Sequence, residues 1–121
     1  MGRSLQQAKV ERKGDVFCVR LRHHQLEEGE IAALAEELLG FISDEGCRKM
    51  VLSLGPGQVD CLYSVFLAKL VMIRRRLGEL GGHLKICEAS PATIGIFEAC
   101  QLKEYFDFYP DVDSAVASFG G

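Results

Sequence analysis

Several features that would announce a task are absent. No apolar run reaches the ~18 residues a bilayer-crossing helix needs, so a self-contained transporter is excluded. The opening stretch MGRSLQQAKVERKG has no apolar core of the kind that directs secretion, so a cytoplasmic location is expected. It begins Met-Gly, yet no hydroxyl follows at the myristoylation spacing, and lipid attachment is not expected. Positive charge is not in excess. Fourteen Lys+Arg against seventeen Asp+Glu leave a net charge of −3, which lacks the basic footprint of a nucleic-acid module. The one basic cluster, Arg74 to Arg76, reads as a solvated helix face. Paired cysteines are missing too. The five (Cys18, Cys47, Cys61, Cys87 and Cys100) form no CxxC, and an odd number without a signal peptide points to free thiols in a reducing compartment. His23, His24 and His83 have no metal-ligand spacing, and the adjacent pair points to opposite sides of a strand, so neither a metal nor any other cofactor is expected. The only glycine-rich loop, GPGQ, lacks the Gly-Lys-Ser/Thr ending of a phosphate loop. There is no repeat, linker or low-complexity segment.

What remains is ordinary globular composition: 121 residues, 48% hydrophobic and 26% charged. One domain spanning 1–121 is expected, with 1–7 and 120–121 frayed. A chain of this length can bury a core without disulfides or metals.

The pattern along the chain alternates strands and helices. AKVERKG and DVFCVRLR read as a hairpin turning at Gly14-Asp15. Phe17, Val19 and Leu21 alternate with Cys18, Arg20 and Arg22, which predicts one buried face. HHQLEEGE reads as a polar connection. Ile31, Leu34, Leu38, Phe41 and Ile42 then follow at helical spacing, behind Glu27, Glu28 and Glu30, which suit a helix N-terminus, and Gly46 is the stop. KMVLSL is a buried strand and GPGQ a loop. A second helix is predicted from about Ser64 to Leu80. Its buried stripe is Phe66, Leu70, Ile73, Leu77 and Leu80, widened by Leu67 and Val71, and Gly81 is its left-handed cap. HLKICEA is a strand. Ser90 and Pro91 open a third helix as N-cap and first residue, with Ile94, Phe97 and Cys100 turned inward. EYFDFY is a strand, and DVDSAVASF a closing helix whose Val112, Ala115, Val116 and Phe119 face in. The order β-β-α-β-α-β-α-β-α implies an α/β fold: a mixed, mostly parallel sheet with an antiparallel edge hairpin and helices packed on it.

Three blocks carry a family resemblance. GDVFCVRL is similar to the opening hairpin of STAS domains, the family of anti-sigma factor antagonists and sulphate-transporter cytoplasmic tails. MVLSL is similar to the strand before that family's characteristic loop. The stretch LGELGGHLKICEASPATIGIFEACQLKEYFDFYPDVDSAVASF resembles the family's C-terminal half almost without gaps. The resemblance implies a STAS (SpoIIAA-like) fold. It also implies a loop carrying Asp-Ser-Ser-Gly in phosphorylated members, whose second Ser takes phosphate from a partner kinase that is also the anti-sigma factor.

Gly81-Gly82 sets the register. An ungapped count back from it puts Tyr63 at the Asp, Ser64 at the first Ser, Val65 at the phosphoacceptor and Phe66 at the Gly. Valine has no nucleophilic oxygen, so the usual acceptor is missing, and the loop GPGQVDC is about two residues longer than the family's. A shifted register with Asp60 as the Asp needs a gap of three residues and supplies no Ser-Ser. Ser64 reads chiefly as a helix N-cap worth about 1 kcal/mol, with phosphorylation there as the other reading. Phe66 reads as core. Tyr63 reads equally as interface or core.

The function this implies is a non-catalytic interaction module that binds a histidine-kinase-like anti-sigma factor or other STAS proteins. Its contact residues would be Asp60, Tyr63, Ser64, Lys69 and Arg76, without the usual phosphoserine switch. The alternative is an accessory subunit of an ABC-type transport complex. An enzyme is disfavoured. Cys61 and His83, the one tempting nucleophile–base pair, flank opposite ends of a helix roughly 25 Å long.

Overall fold

The computed structural model describes residues 6–55 and 57–120. The elements run β1 (Ala8–Lys13), β2 (Val16–Leu21), β3 (Gln25–Leu26), α1 (Glu28–Asp44), β4 (Lys49–Ser53), β5 (Asp60–Cys61), α2 (Tyr63–Glu79), β6 (His83–Cys87), α3 (Pro91–Ala99), β7 (Asp107–Tyr109) and α4 (Val112–Ala117). Five strands form one sheet in the order β1-β2-β4-β6-β7. The β1–β2 pair is antiparallel and every other pair is parallel. The expected order therefore holds, with two short strands added. HHQLEEGE is not only a connection: Gln25–Leu26 pair in parallel with Asp60–Cys61 as a separate two-stranded ribbon.

Both faces of the sheet are covered. Phe17, Val19, Met50, Leu52, Leu84 and Ile86 point into the main core under α1, α2 and α3. Val16, Cys18, Val51 and Cys87 point the other way, against Val112 and Ala115 of α4. This corrects the one-faced reading of β2, where Cys18 is 5% exposed. The alternation was right, but the closing helix folds back over the opposite face. EYFDFY is also mostly not strand. Only Asp107–Tyr109 pair with β6, while Phe106 turns into the core edge-on to Phe97.

Helix boundaries follow local chemistry. At the start of α1 the Glu30 carboxylate accepts from the Glu27 N–H at 2.9 Å. At α3 the Ser90 hydroxyl accepts from the Thr93 N–H at 3.1 Å, with Pro91 behind it. Two inward assignments fail. Cys100 is exposed because it caps α3 rather than extending it. Leu80 is 38% exposed because it is the C-cap of α2, beyond the last buried turn. The α3 position that sequence reading missed is Thr93, 1% exposed. Beyond Leu80, Gly81 takes φ +79°, and a Cβ on Gly82 would lie 2.3 Å from the Arg48 carbonyl oxygen. Of the ends expected to fray, 1–5 and Gly121 lie outside the described residues. The Gln6 and Gln7 N–H groups donate to the Glu37 carboxylate. No helix among the described residues is long and apolar enough to cross a membrane.

Candidate functional site

The parallel strands β2, β4, β6 and β7 end on the same edge of the sheet, and there the loop leading into α2 is built. Three contacts fix it. The Asp60 N–H donates to the His24 carbonyl at 2.6 Å, which seats β5 beside β3. Val59 is 1% exposed and anchors the loop in the core. The Tyr63 hydroxyl donates to the Val59 carbonyl at 2.5 Å and lies 3.2 Å from the Thr93 hydroxyl. Through Thr93 and Ser90 this ties the start of α2 to the start of α3. Burial raises the Tyr63 pKa above its usual value, so the phenol stays protonated and donates.

Tyr63 is the first residue of α2, not a loop residue, and Leu62 is the N-cap. Leu62 offers no side-chain oxygen, so this helix begins without a side-chain cap. Ser64 is therefore not the cap that the sequence suggested. The chain stays extended through Leu62 (φ −79°, ψ 96°), turns helical one residue earlier than expected, and leaves Ser64 exposed in the first turn. Val65 is half-buried and packs against the core. Phe66 is 1% exposed, edge-on to Tyr63 with ring centroids 6.1 Å apart.

The five expected contact residues are only partly brought together. Asp60, Tyr63 and Ser64 share the sheet edge, and Asp60 and Ser64 are exposed. Lys69 lies over the seam between α1 and α2 with Ile31, Leu34, Phe66 and Ile73. Arg76 is roughly 20 Å along the helix from Tyr63, at 1.5 Å per residue. It pairs with Glu79 at 3.3 Å.

A polar cluster was not foreseen. Arg20, Ser53 and Glu88 stand at the ends of β2, β4 and β6. The Glu88 carboxylate accepts from the Arg20 guanidinium at 2.9 Å and from the Ser53 hydroxyl. Glu88 takes φ 58°, rare for a residue with a side chain. A Cβ on Gly55 would come within 2.8 Å of the Glu88 Cβ, so the loop can pass there only as glycine. No sequence spacing signals this cluster, because its members lie on three separate strands.

Nothing in the arrangement favours covalent chemistry. Burial pushes the Cys61 thiol up to about 11, away from thiolate at neutral pH. Cys61 sits at the loop edge of the sheet, whereas His83 begins β6 at the other edge. No three His, Cys, Asp or Glu side chains among the described residues converge on a metal-sized site.

With this geometry in place, comparison with known proteins is informative. The STAS domain family matches residues 7–115. The chain belongs to the STAS domain family. Among solved structures it is similar to an anti-sigma-factor antagonist (STAS) domain protein from Planctomyces limnophilus (TM-score 0.80, 20% identity, 94% of this chain and 98% of that one). A putative anti-sigma factor antagonist from Thermotoga maritima matches at TM-score 0.78 and 16% identity over 92% of each chain. The phosphorylated Bacillus cell fate determinant SpoIIAA matches at TM-score 0.70 and 12% identity, over 93% of this chain and 98% of that one. At these identities the likeness establishes the fold. No curated protein matches the sequence at a significant level. In this STAS domain the start of α2 is a fixed, hydrogen-bonded platform whose one outward hydroxyl is Ser64.

Proposed function

We propose that this STAS domain is a non-catalytic protein-interaction module, and that it works without the phosphoserine switch that the family resemblance would supply. The observation that carries the reading is the side chain at position 65. The ungapped register from Gly81-Gly82 places Val65 at the acceptor, and Val65 is half-buried against the core. It offers no oxygen and turns its side chain partly inward. Tyr63, at the Asp position, spends its hydroxyl on Val59 and Thr93. A phosphate adds a charge of about −1.5 to −2 and repels or blocks a docked partner. Without it, binding is constitutive or gated elsewhere. The contact surface runs from Asp60 and Ser64 along α2 to Lys69 and Arg76. The partner class is a histidine-kinase-like anti-sigma factor or another STAS protein, and the setting is transcription control in the cytoplasm of a bacterium.

Two experiments test this. Incubation with such a kinase and ATP leaves the intact mass unchanged, and a gain of one phosphate overturns the missing switch. A tagged pull-down from the native host's lysate recovers a histidine-kinase-like ATPase or other STAS proteins. Recovery of a permease with its ATPase instead assigns the domain to transport.

A further inference from the structure

We propose that the α1–α2 layer is self-complementary, and that a second copy of this chain docks on it. The two helices lie side by side over the main core, and their charges are sorted by helix. Along α1 there are five acidic residues (Glu28, Glu30, Glu36, Glu37 and Asp44) and no basic one. Along α2 there are four basic residues (Lys69, Arg74, Arg75 and Arg76) and one acidic one, Glu79. That basic helix belongs to a chain whose net charge is −3.

Part of this charge is used internally. Glu30 accepts from the Glu27 N–H, and Glu37 accepts from the Gln6, Gln7 and Ala8 N–H groups. Arg74 stacks over Tyr105 at 4.0 Å and Arg76 pairs with Glu79. Glu28 and Glu36 on α1, and Arg75 on α2, are exposed and have no ion pair among the described residues. The exposed large hydrophobics are concentrated here as well. Leu62 (55%), Met72 (39%) and Leu80 (38%) lie on α2 or its caps, and only Val10 lies elsewhere among the described residues.

Topology supplies the symmetry. Each helix connects neighbouring parallel strands, so α1 and α2 run in the same direction. A two-fold axis normal to the layer then lays α1 of one copy antiparallel on α2 of the other, twice over. Glu28 at the start of α1 meets Arg75 and Arg76 near the end of the second copy's α2. Ala32 falls opposite Met72, and Glu36 near Lys69. Ala32 and Ala68 are small and exposed, so the helices can approach closely. Each helix is ~25 Å long and the pair spans about 20 Å, so the footprint is roughly 500 Å² per copy, or ~1,000 Å² in total. That is near the lower bound for a specific interface, so the dimer is weak and concentration-dependent.

The test uses only this chain, so its failure is separable from failure of the kinase-partner reading, although both use α2. Sedimentation velocity is run from ~10 μM to ~1 mM. The wild type shifts from monomer towards dimer. Glu28→Lys/Glu36→Lys and Arg75→Glu/Arg76→Glu each place like charges across the interface and stay monomeric over that range. Mixed in equal amounts they pair, because each then meets its opposite, and the heterodimer reappears. Circular dichroism checks that both variants are folded, as expected for substitutions at exposed positions. A wild type that remains monomeric at ~1 mM overturns the proposal. So do variants that dimerise alone, or folded variants whose mixture does not pair.

Discussion

The hydroxyl of Tyr63 can be removed with little other change, and it holds the loop on which the proposed function depends. Tyr63→Phe deletes one oxygen and leaves the ring against Phe66. It breaks the 2.5 Å bond to the Val59 carbonyl and the 3.2 Å contact with Thr93. Thr93 keeps Ser90 as a partner, so the lasting damage falls on the Val59 carbonyl beside a buried side chain. A net hydrogen bond is worth about 1 kcal/mol, and an orphaned buried acceptor raises the cost to about 2 kcal/mol. For a domain of this size that lowers Tm by roughly 4–8 °C. Amide exchange localises the effect: Asp60, whose N–H closes the β3–β5 ribbon, exchanges faster while the β4 and β6 amides change only with global stability. The control is Tyr105→Phe, whose hydroxyl has no hydrogen bond among the described residues and whose loss costs under about 0.5 kcal/mol. Equal melting of Tyr63→Phe and wild type, or unchanged exchange at Asp60, would refute the claim that this hydroxyl fixes the loop.

Other expectations follow from the same structure. Gly82→Ala puts a methyl against the Arg48 carbonyl, which cannot yield as a side chain could, so denaturant titration should show a loss of about 3 kcal/mol. Phe66→Ala empties a fully buried site under α2 and should cost about 3–5 kcal/mol by the same titration. Lys69→Glu with Arg76→Glu should weaken capture of the pull-down partner while Tm moves little, and an equal loss of Tm would mean that Lys69 serves the core. Burial raises the Cys47 thiol to about 12 and the Cys61 and Cys87 thiols to about 11, from 9.0. The folded state therefore holds these protons longer than the unfolded chain does, and stability is full below pH 9 and falls as pH rises towards 11–12. Alkylation at pH 8 followed by peptide mass analysis should mark the exposed Cys100 first and spare Cys47 and Cys87.

Local pattern alone determined much of this protein. The Gly14-Asp15 turn, the 3.6-residue stripe Phe66, Leu70, Ile73 and Leu77, the Ser90-Pro91 helix start and the Gly81 stop are written in adjacent residues. Each depends on backbone sterics or on one helical face, so each was legible before any tertiary contact was known. The family resemblance rested on the order of those same signals. Tertiary structure decided the rest. Whether Cys18 is buried depends on α4 crossing from the far end of the chain. Whether Ser64 caps α2 depends on where β5 stops, and β5 exists only because Asp60 meets His24, thirty-six residues earlier. Arg20, Ser53 and Glu88 become one cluster only when three strands line up in register. The sorting of acid onto α1 and base onto α2 is visible in the sequence, yet it becomes a surface only when parallel crossovers place the two helices side by side. Nearest-neighbour sterics and hydrophobic period act within a few residues, whereas burial, pairing and surface charge are set by which distant segments the sheet brings into contact.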